Sequence, residues 1–257
     1  MKKTVLALAA TASLLGAAGS ALAVNIGGLN VPDGPSFAVG QIYENAVFQV
    51  GDALQGYGKV DSINSFAVNT LCDGCELTYR FTGYTVTSLS ATDIRFNGGL
   101  LQFYLGFGAA NNFNTGNAGG SPGDVAEATD GTLFLTLRGR AIDAAGNTFA
   151  GTGLNIGTAA PVGFGAGLAD VDTSAGGIAN SFFNNNAIAA AFGGNADFQL
   201  GSSFSGLNPL YPSECPGGQA CVRGSADFTT AVPEPSTYAL MFAGLGVVAM
   251  VARRRRK

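Results

Sequence analysis

The chain contains no histidine and no tryptophan, and it has few basic residues away from its two ends. Without histidine it lacks the side chain that most often shuttles protons or binds metals near neutral pH. Seven of the 13 Lys and Arg residues sit at the extremes: Lys2 and Lys3 at the start, Arg253, Arg254, Arg255, Arg256 and Lys257 at the finish. Six remain between them to face 17 Asp and Glu residues. So acidic a body is a poor partner for nucleic acid, whose phosphates must be met by clustered cations. Glycine is abundant, at 39 of 257 residues, and hydrophobic residues reach 47%. That content supports a packed core rather than disorder. The glycine points to many turns and short strands in one domain of about 200 residues.

The two ends read as addresses. Lys2 and Lys3 precede an apolar run from Val5 to Leu15, and Ala21-Leu22-Ala23 supplies a small-x-small site. A secretory signal peptide over residues 1–23 is expected, with signal peptidase cutting between Ala23 and Val24. At the other end Val232-Pro233-Glu234-Pro235-Ser236-Thr237 leads into an uncharged apolar stretch from Tyr238 to Ala252, and five cations follow. Such a stretch in helical form spans about 22 Å, short of a hydrocarbon core of about 30 Å. Counted from Pro235, with the arginine side chains reaching out to the interface, it makes a marginal single transmembrane helix. The cations hold their end in the cytoplasm, which puts Pro-Glu-Pro on the outer face of that membrane. The prolines keep the triplet extended, where a protease can find it.

This ending resembles the PEP-CTERM sorting signal of Gram-negative bacteria. Pro233, Glu234 and Pro235 match its triplet, residues 238–252 its short helix, and Arg253 to Arg256 its basic end. The resemblance implies exosortase, a membrane-embedded cysteine transpeptidase-like enzyme, as the processing partner. It implies export across the inner membrane, transient anchoring there through residues 238–252, and delivery to the outer surface or the extracellular polymer matrix. The stretch Gly74-Cys75-Glu76-Leu77-Thr78-Tyr79-Arg80-Phe81 loosely resembles the bodies of flocculation-associated PEP-CTERM proteins. Three segments follow: the signal peptide at 1–23, a β-rich extracellular body at 24–231, and the sorting signal at 232–257.

Within the body the hydrophobic period is two. Leu77, Tyr79 and Phe81 alternate with Thr78, Arg80 and Thr82; Leu101, Phe103, Leu105 and Phe107 alternate with Gln102, Tyr104 and Gly106; Leu133, Leu135 and Leu137 oppose Thr132, Phe134, Thr136 and Arg138. Each run suits a strand with one side in a core. Further strands are expected over Phe37 to Val50, Gly58 to Val68, Thr85 to Leu89, Asn147 to Ile156, Phe198 to Phe204 and Val222 to Thr229, parted by Gly/Asn/Asp/Ser turns. This pattern predicts a mainly β fold, an antiparallel β-sandwich or jelly-roll-like body. Ser181 to Phe192 carries Phe183/Ala187/Ala191 at helical spacing and is expected to be its one short helix. Asn111 to Gly123 reads as an exposed low-complexity loop, and Gly151 to Gly177 as loop or edge strand.

Four cysteines in an exported chain read first as two disulfides. Three pairings are open, and proximity favours Cys72–Cys75 and Cys215–Cys221 as short local clips. A four-cysteine zinc site fits poorly, because five residues part Cys215 from Cys221. A redox Cys72-x-x-Cys75 lacks the βαβ setting.

Other motifs fail on context. Gly119-Gly120-Ser121-Pro122-Gly123 spells a nucleophile elbow, but Pro122 interrupts it and no histidine exists to complete a triad. The glycines at 151, 153, 157, 163, 165 and 167 evoke phosphate loops without a Gly-Lys-Ser/Thr. Tyr57, Tyr79, Tyr84 and Tyr104 suit core or cross-strand positions better than sugar platforms. Asp170 with Asp172, and Asp124, Glu127 and Asp130, are oxygen donors without the spacing of a calcium loop.

No catalytic, cofactor or metal residues emerge. The sequence therefore leads to a non-enzymatic surface or matrix protein, structural or adhesive in exopolysaccharide, biofilm or floc formation. Two alternatives remain: a secreted carbohydrate-active hydrolase using a carboxylate pair, and a calcium-dependent carbohydrate-binding adhesin.

Overall fold

A computed structural model of the chain describes residues 23–32, 35–114, 123–158, 160–208 and 221–231, with 244, 245 and 248 besides. Among these residues twelve strands succeed one another: β1 (Val24–Ile26), β2 (Leu29–Val31), β3 (Pro35–Asn45), β4 (Ala53–Ile63), β5 (Phe66–Ala67), β6 (Cys75–Leu89), β7 (Asp93–Phe107), β8 (Thr132–Arg140), β9 (Asn147–Leu154), β10 (Val162–Val171), β11 (Phe198–Asn208) and β12 (Cys221–Ala231). Single helical turns α1 (Val68–Leu71), α2 (Asp124–Glu127) and α3 (Asn180–Phe183) interrupt them.

The expected β class holds, but the sandwich or jelly-roll does not. The strands close into an antiparallel barrel with eight wall positions, in the order β3, β4, β6, β7, β8/β9, β10, β11 and β12, and β12 pairs back onto β3. Closure removes the unpaired edges that two packed sheets would leave. One wall position is shared. The Leu100–Leu105 part of β7 pairs with β8, and its Asp93–Asn97 part pairs with β9. Likewise β10 gives Leu168–Val171 to β8 and Val162–Gly167 to β9. β8 and β9 thus run as one interrupted strand, and residues 141–146 leave the wall between them. Asp143 ties off this excursion by accepting from the amides of Ala145 and Asn147 and from Arg95.

Alternation sets the two sides of the wall. Leu77, Tyr79, Phe81, Leu101, Phe103 and Leu105 point into the main core. Tyr79, Phe103 and Phe228 form an aromatic layer across the barrel, with ring centroids 5.0 to 5.7 Å apart. Glycines make room for these rings: a Cβ on Gly58 would lie 2.5 Å from the Tyr79 hydroxyl, and one on Gly56 would lie 2.4 Å from Phe81. Below this layer, the β1–β2 hairpin seats Leu29 and Val31 beside Leu135, Phe183 and Phe198, closing that end. The disulfide Cys72–Cys75 clips the α1–β6 turn at the same end.

A second, outer cluster lies on the wall of β3 and β4, where Tyr43 and Tyr57 are covered by Phe113 and Ala128. Phe113 is buried, so this part of the Asn111–Gly123 segment is a fitted clasp rather than an exposed loop; residues 115–122, with Ser121, lie outside the described residues. The helix expected over Ser181–Phe192 shrinks to the single turn α3. Asp197 captures the amides of Asn185 (2.7 Å) and Asn186 (2.6 Å), which pulls the chain away from helical bonding. The Gly151–Gly177 segment supplies much of β9 and all of β10.

No helix among the described residues is long and apolar enough to cross a membrane. The expected signal helix, the expected transmembrane helix, the sorting residues Pro233, Glu234, Pro235 and Arg253 to Arg256, and Cys215 lie outside those residues, as does any Cys215–Cys221 bond.

Candidate functional site

Above the Tyr79/Phe103/Phe228 layer the barrel encloses a cavity of about 100 Å³. Its wall is apolar, built from side chains such as Leu54, Phe81, Phe96, Phe149, Ile156 and Leu200. The lining reaches the loops at one end of the barrel, at Ala46, Val47, Gly157 and Pro161. Those loops join β3 to β4 and β9 to β10, so the mouth lies opposite the end closed by the β1–β2 hairpin. Strand β12 runs from the mouth end, where Cys221 pairs with Asn45, to the closed end at Ala231.

One ionisable side chain other than tyrosine lines this space. Glu44 shares the inward face of β3 with Ile42, keeps 9% of its surface exposed, and has no hydrogen-bond or ion-pair partner among the described residues. Burial pushes its carboxyl up to about 8, so at neutral pH it is mostly protonated. The other titratable groups on the lining are the phenols of Tyr79 and Tyr84, both pushed up by burial. The Tyr79 hydroxyl donates to the Gln41 carbonyl at 2.5 Å. The Asn45 amide is fully engaged, donating to the carbonyls of Ala46 and Ala53 and accepting from the Gln55 amide. Glu44 and Tyr84 are left facing the cavity without a partner among the described residues.

The residues singled out in the sequence are put to structural use. Asp172 pairs with Arg138 and Asp170 with Arg140, so each carboxylate already has its own cation. Hydrogen bonds from Ser174 and Arg138 hold Asp172 below the usual carboxylate range. Asp124 accepts from the Tyr57 hydroxyl at 3.2 Å, and Asp130 from Asn112 at 2.9 Å. No group of three metal-binding side chains occurs among the described residues. The glycine runs pair with one another across a hairpin, Gly163 with Gly153 and Gly165 with Gly151. They therefore form wall rather than a phosphate loop. Tyr57 packs outside the barrel, Tyr79 and Tyr84 inside it, and Tyr104 stays half-buried on the outer face.

Sequence reasoning passed over Glu44. A signal was present: it has the same parity as Ala38 and Ile42, which makes it a charged residue on an apolar strand face. The opposite face, with Val39 and Tyr43, reads as apolar too, and this hid the signal.

Comparison with curated proteins and with solved structures returned no match. A family model, the PEP-CTERM protein-sorting motif, matches residues 231–257. That match begins at Ala231, where β12 ends at the closed end of the barrel. It marks the chain for export and for a membrane-anchored sorting step with exosortase as processing partner. The chain thus carries a PEP-CTERM sorting motif at residues 231–257, into which strand β12 of the antiparallel β-barrel leads.

Proposed function

We propose that this exported protein is a non-enzymatic binding protein, which holds a small apolar molecule inside its barrel at the outer surface or in the extracellular matrix. The observation that carries this reading is the cavity of about 100 Å³, with its apolar wall and unpaired Glu44. Removing apolar surface from water favours a guest there by roughly 25 cal/mol per Å². A glycosidase works with two carboxyl groups about 5 to 10 Å apart. Glu44 is the only carboxyl among the described lining residues, which supports binding over hydrolysis. Asp170 and Asp172 already meet arginines, which weighs against a calcium-dependent adhesin.

The sorting motif supports export, and exopolysaccharide, biofilm or flocs are the proposed destination. A structural, adhesive part there is a second reading, favoured by hydroxyls on the outer wall, where Ser203 and Ser225 meet at 2.8 Å. Retention on the host's own exopolysaccharide tests it, and passage through unretained removes it.

Thermal unfolding of the exported protein in toluene-saturated buffer tests the binding reading. Tm is expected to rise by several degrees in the wild type. Ala226→Phe, which fills the cavity with a ring, should show no response. Unshifted wild-type curves overturn the reading. Mass spectrometry of the matrix-associated protein tests the address: the expected species lacks the Arg253 to Arg256 end, and an intact end overturns matrix delivery after processing.

A further inference from the structure

We infer that the barrel cavity selects a small uncharged amphiphile, an apolar body of about one ring with a single hydroxyl or carbonyl head that hydrogen-bonds to Glu44. This rests on the binding reading above and names the class of guest.

Size comes first. A cavity of about 150 Å³ lined by aliphatic and aromatic groups accepts benzene, so about 100 Å³ caps the buried part of the guest at a single small ring or a short chain. The wall then dictates an apolar body, because a polar atom placed against Leu54, Phe96 or Phe149 leaves water without finding a partner. Two positions depart from this. The carboxyl of Glu44 and the phenol of Tyr84 face the cavity with their hydrogen-bonding capacity unspent among the described residues, while Tyr79 and Asn45 spend theirs on the backbone. A protonated carboxyl both donates and accepts, as does a phenol, so one oxygen head satisfies either group.

Charge narrows the class further. The lining contains no Lys or Arg among the described residues, so an anionic head finds no counter-charge. The groups that face Glu44 are uncharged: Tyr79 from β6, Gly56 of β4 across one pairing and Val222 of β12 across the other. A cationic head would meet a carboxyl that holds its proton at neutral pH, and would lose its own hydration in an apolar space. A neutral head pays neither cost.

The test uses one ring with four heads: toluene, benzyl alcohol, benzylamine and benzoate. Binding to the exported protein is measured by calorimetry at pH 6 and pH 9. At pH 6 benzyl alcohol is expected to bind about five- to tenfold more tightly than toluene, the worth of one net hydrogen bond. Benzylamine and benzoate should bind at least about tenfold more weakly than the alcohol. At pH 9, with Glu44 ionised, its carboxylate accepts from the alcohol's hydroxyl in a charge-assisted bond, so the preference for the alcohol over toluene should widen, and benzoate should weaken further. Glu44→Gln, which keeps an uncharged donor and acceptor, should retain the preference at both pH values; Glu44→Leu should abolish it while toluene still binds. Toluene binding without any preference for the alcohol at pH 6 overturns the selection by Glu44 and leaves the binding reading intact. Benzylamine binding most tightly, and more so at pH 9, overturns it in favour of a cation site. Failure of every ring to bind sinks the binding reading itself.

Discussion

Glu44 and Glu76 are both buried, one on the inner and one on the outer side of the same barrel wall, and they are treated in opposite ways. Glu76 keeps 1% of its surface exposed and is fully engaged: Lys59 Nζ lies 2.6 Å from Oε2, while the amides of Asn112 and Phe113 donate to Oε1 at 3.0 and 3.1 Å. Lys59 in turn donates to the Phe113 carbonyl, so a single carboxylate fastens the clasp over Tyr57. Glu44 has no such partners and faces a cavity. A buried carboxylate with its donors in place is part of the architecture. One without them costs stability, and such a cost is the mark of a group kept for contact with something else.

The largest expected effect that sharpens this contrast is at Glu44. Its carboxyl titrates near 8 in the folded chain and in the ordinary range, near 4.5, once unfolded. The folded state therefore holds the proton more tightly. The stability contributed by Glu44 is highest below about pH 4.5, falls as pH rises through the window to about 8, and levels off beyond. At about 1.4 kcal/mol per pH unit, a shift from 4.5 to about 8 makes the full loss about 5 kcal/mol. Glu44→Gln is expected to remove this slope, gaining about 5 kcal/mol over the wild type at pH 9 and almost nothing at pH 4. Urea unfolding at four pH values measures it, and parallel slopes in the two proteins would break the comparison.

Next comes Glu76. Replacing it by alanine strands Lys59 and two amides, and breaking such a buried pair costs about 3 to 5 kcal/mol. Lys59 keeps 24% of its side chain exposed, which places the loss at the lower end, about 3 kcal/mol. A fall in the urea midpoint smaller than about 1 kcal/mol implies would show that the clasp is held by its rings alone.

The smallest effect is at Tyr79, which separates pairing from mere polarity. Its hydroxyl is inside the barrel like Glu44 but bonded to Gln41. Tyr79→Phe should cost about 1 kcal/mol at every pH. A gain in stability would mean that any polar group inside this barrel is a burden, paired or not.

Several features of this architecture are legible along the chain. Leu77-Tyr79-Phe81 and Leu101-Phe103-Leu105 face inward as their alternation predicts, because a strand's side chains have a strict period of two. Cys72 and Cys75 are bonded as their spacing suggested. The Pro233-Glu234-Pro235 tail was readable because its recognition is linear, and the motif match covers residues 231–257. The helix over Ser181–Phe192 misled, since its apolar spacing competes with a remote carboxylate: Asp197 holds the Asn185 and Asn186 amides from outside the window. Phe113, inside an Asn/Gly-rich run, gave no local hint that Glu76 would seize its amide from 37 residues away.

What the amino-acid order alone determined is local and periodic: strand faces, turn positions, a short clip and a linear sorting tail. Whether those strands end as two sheets or one closed wall depends on β12 meeting β3, a pairing between residues nearly the whole body apart. Periodicity contains no information about which distant edges meet, because each strand alternates in the same way whichever neighbour it finds. The cavity and the isolation of Glu44 exist only through that closure, which brings Ile42, Phe96, Phe149 and Leu200 around one carboxyl and leaves it no donor among the described residues.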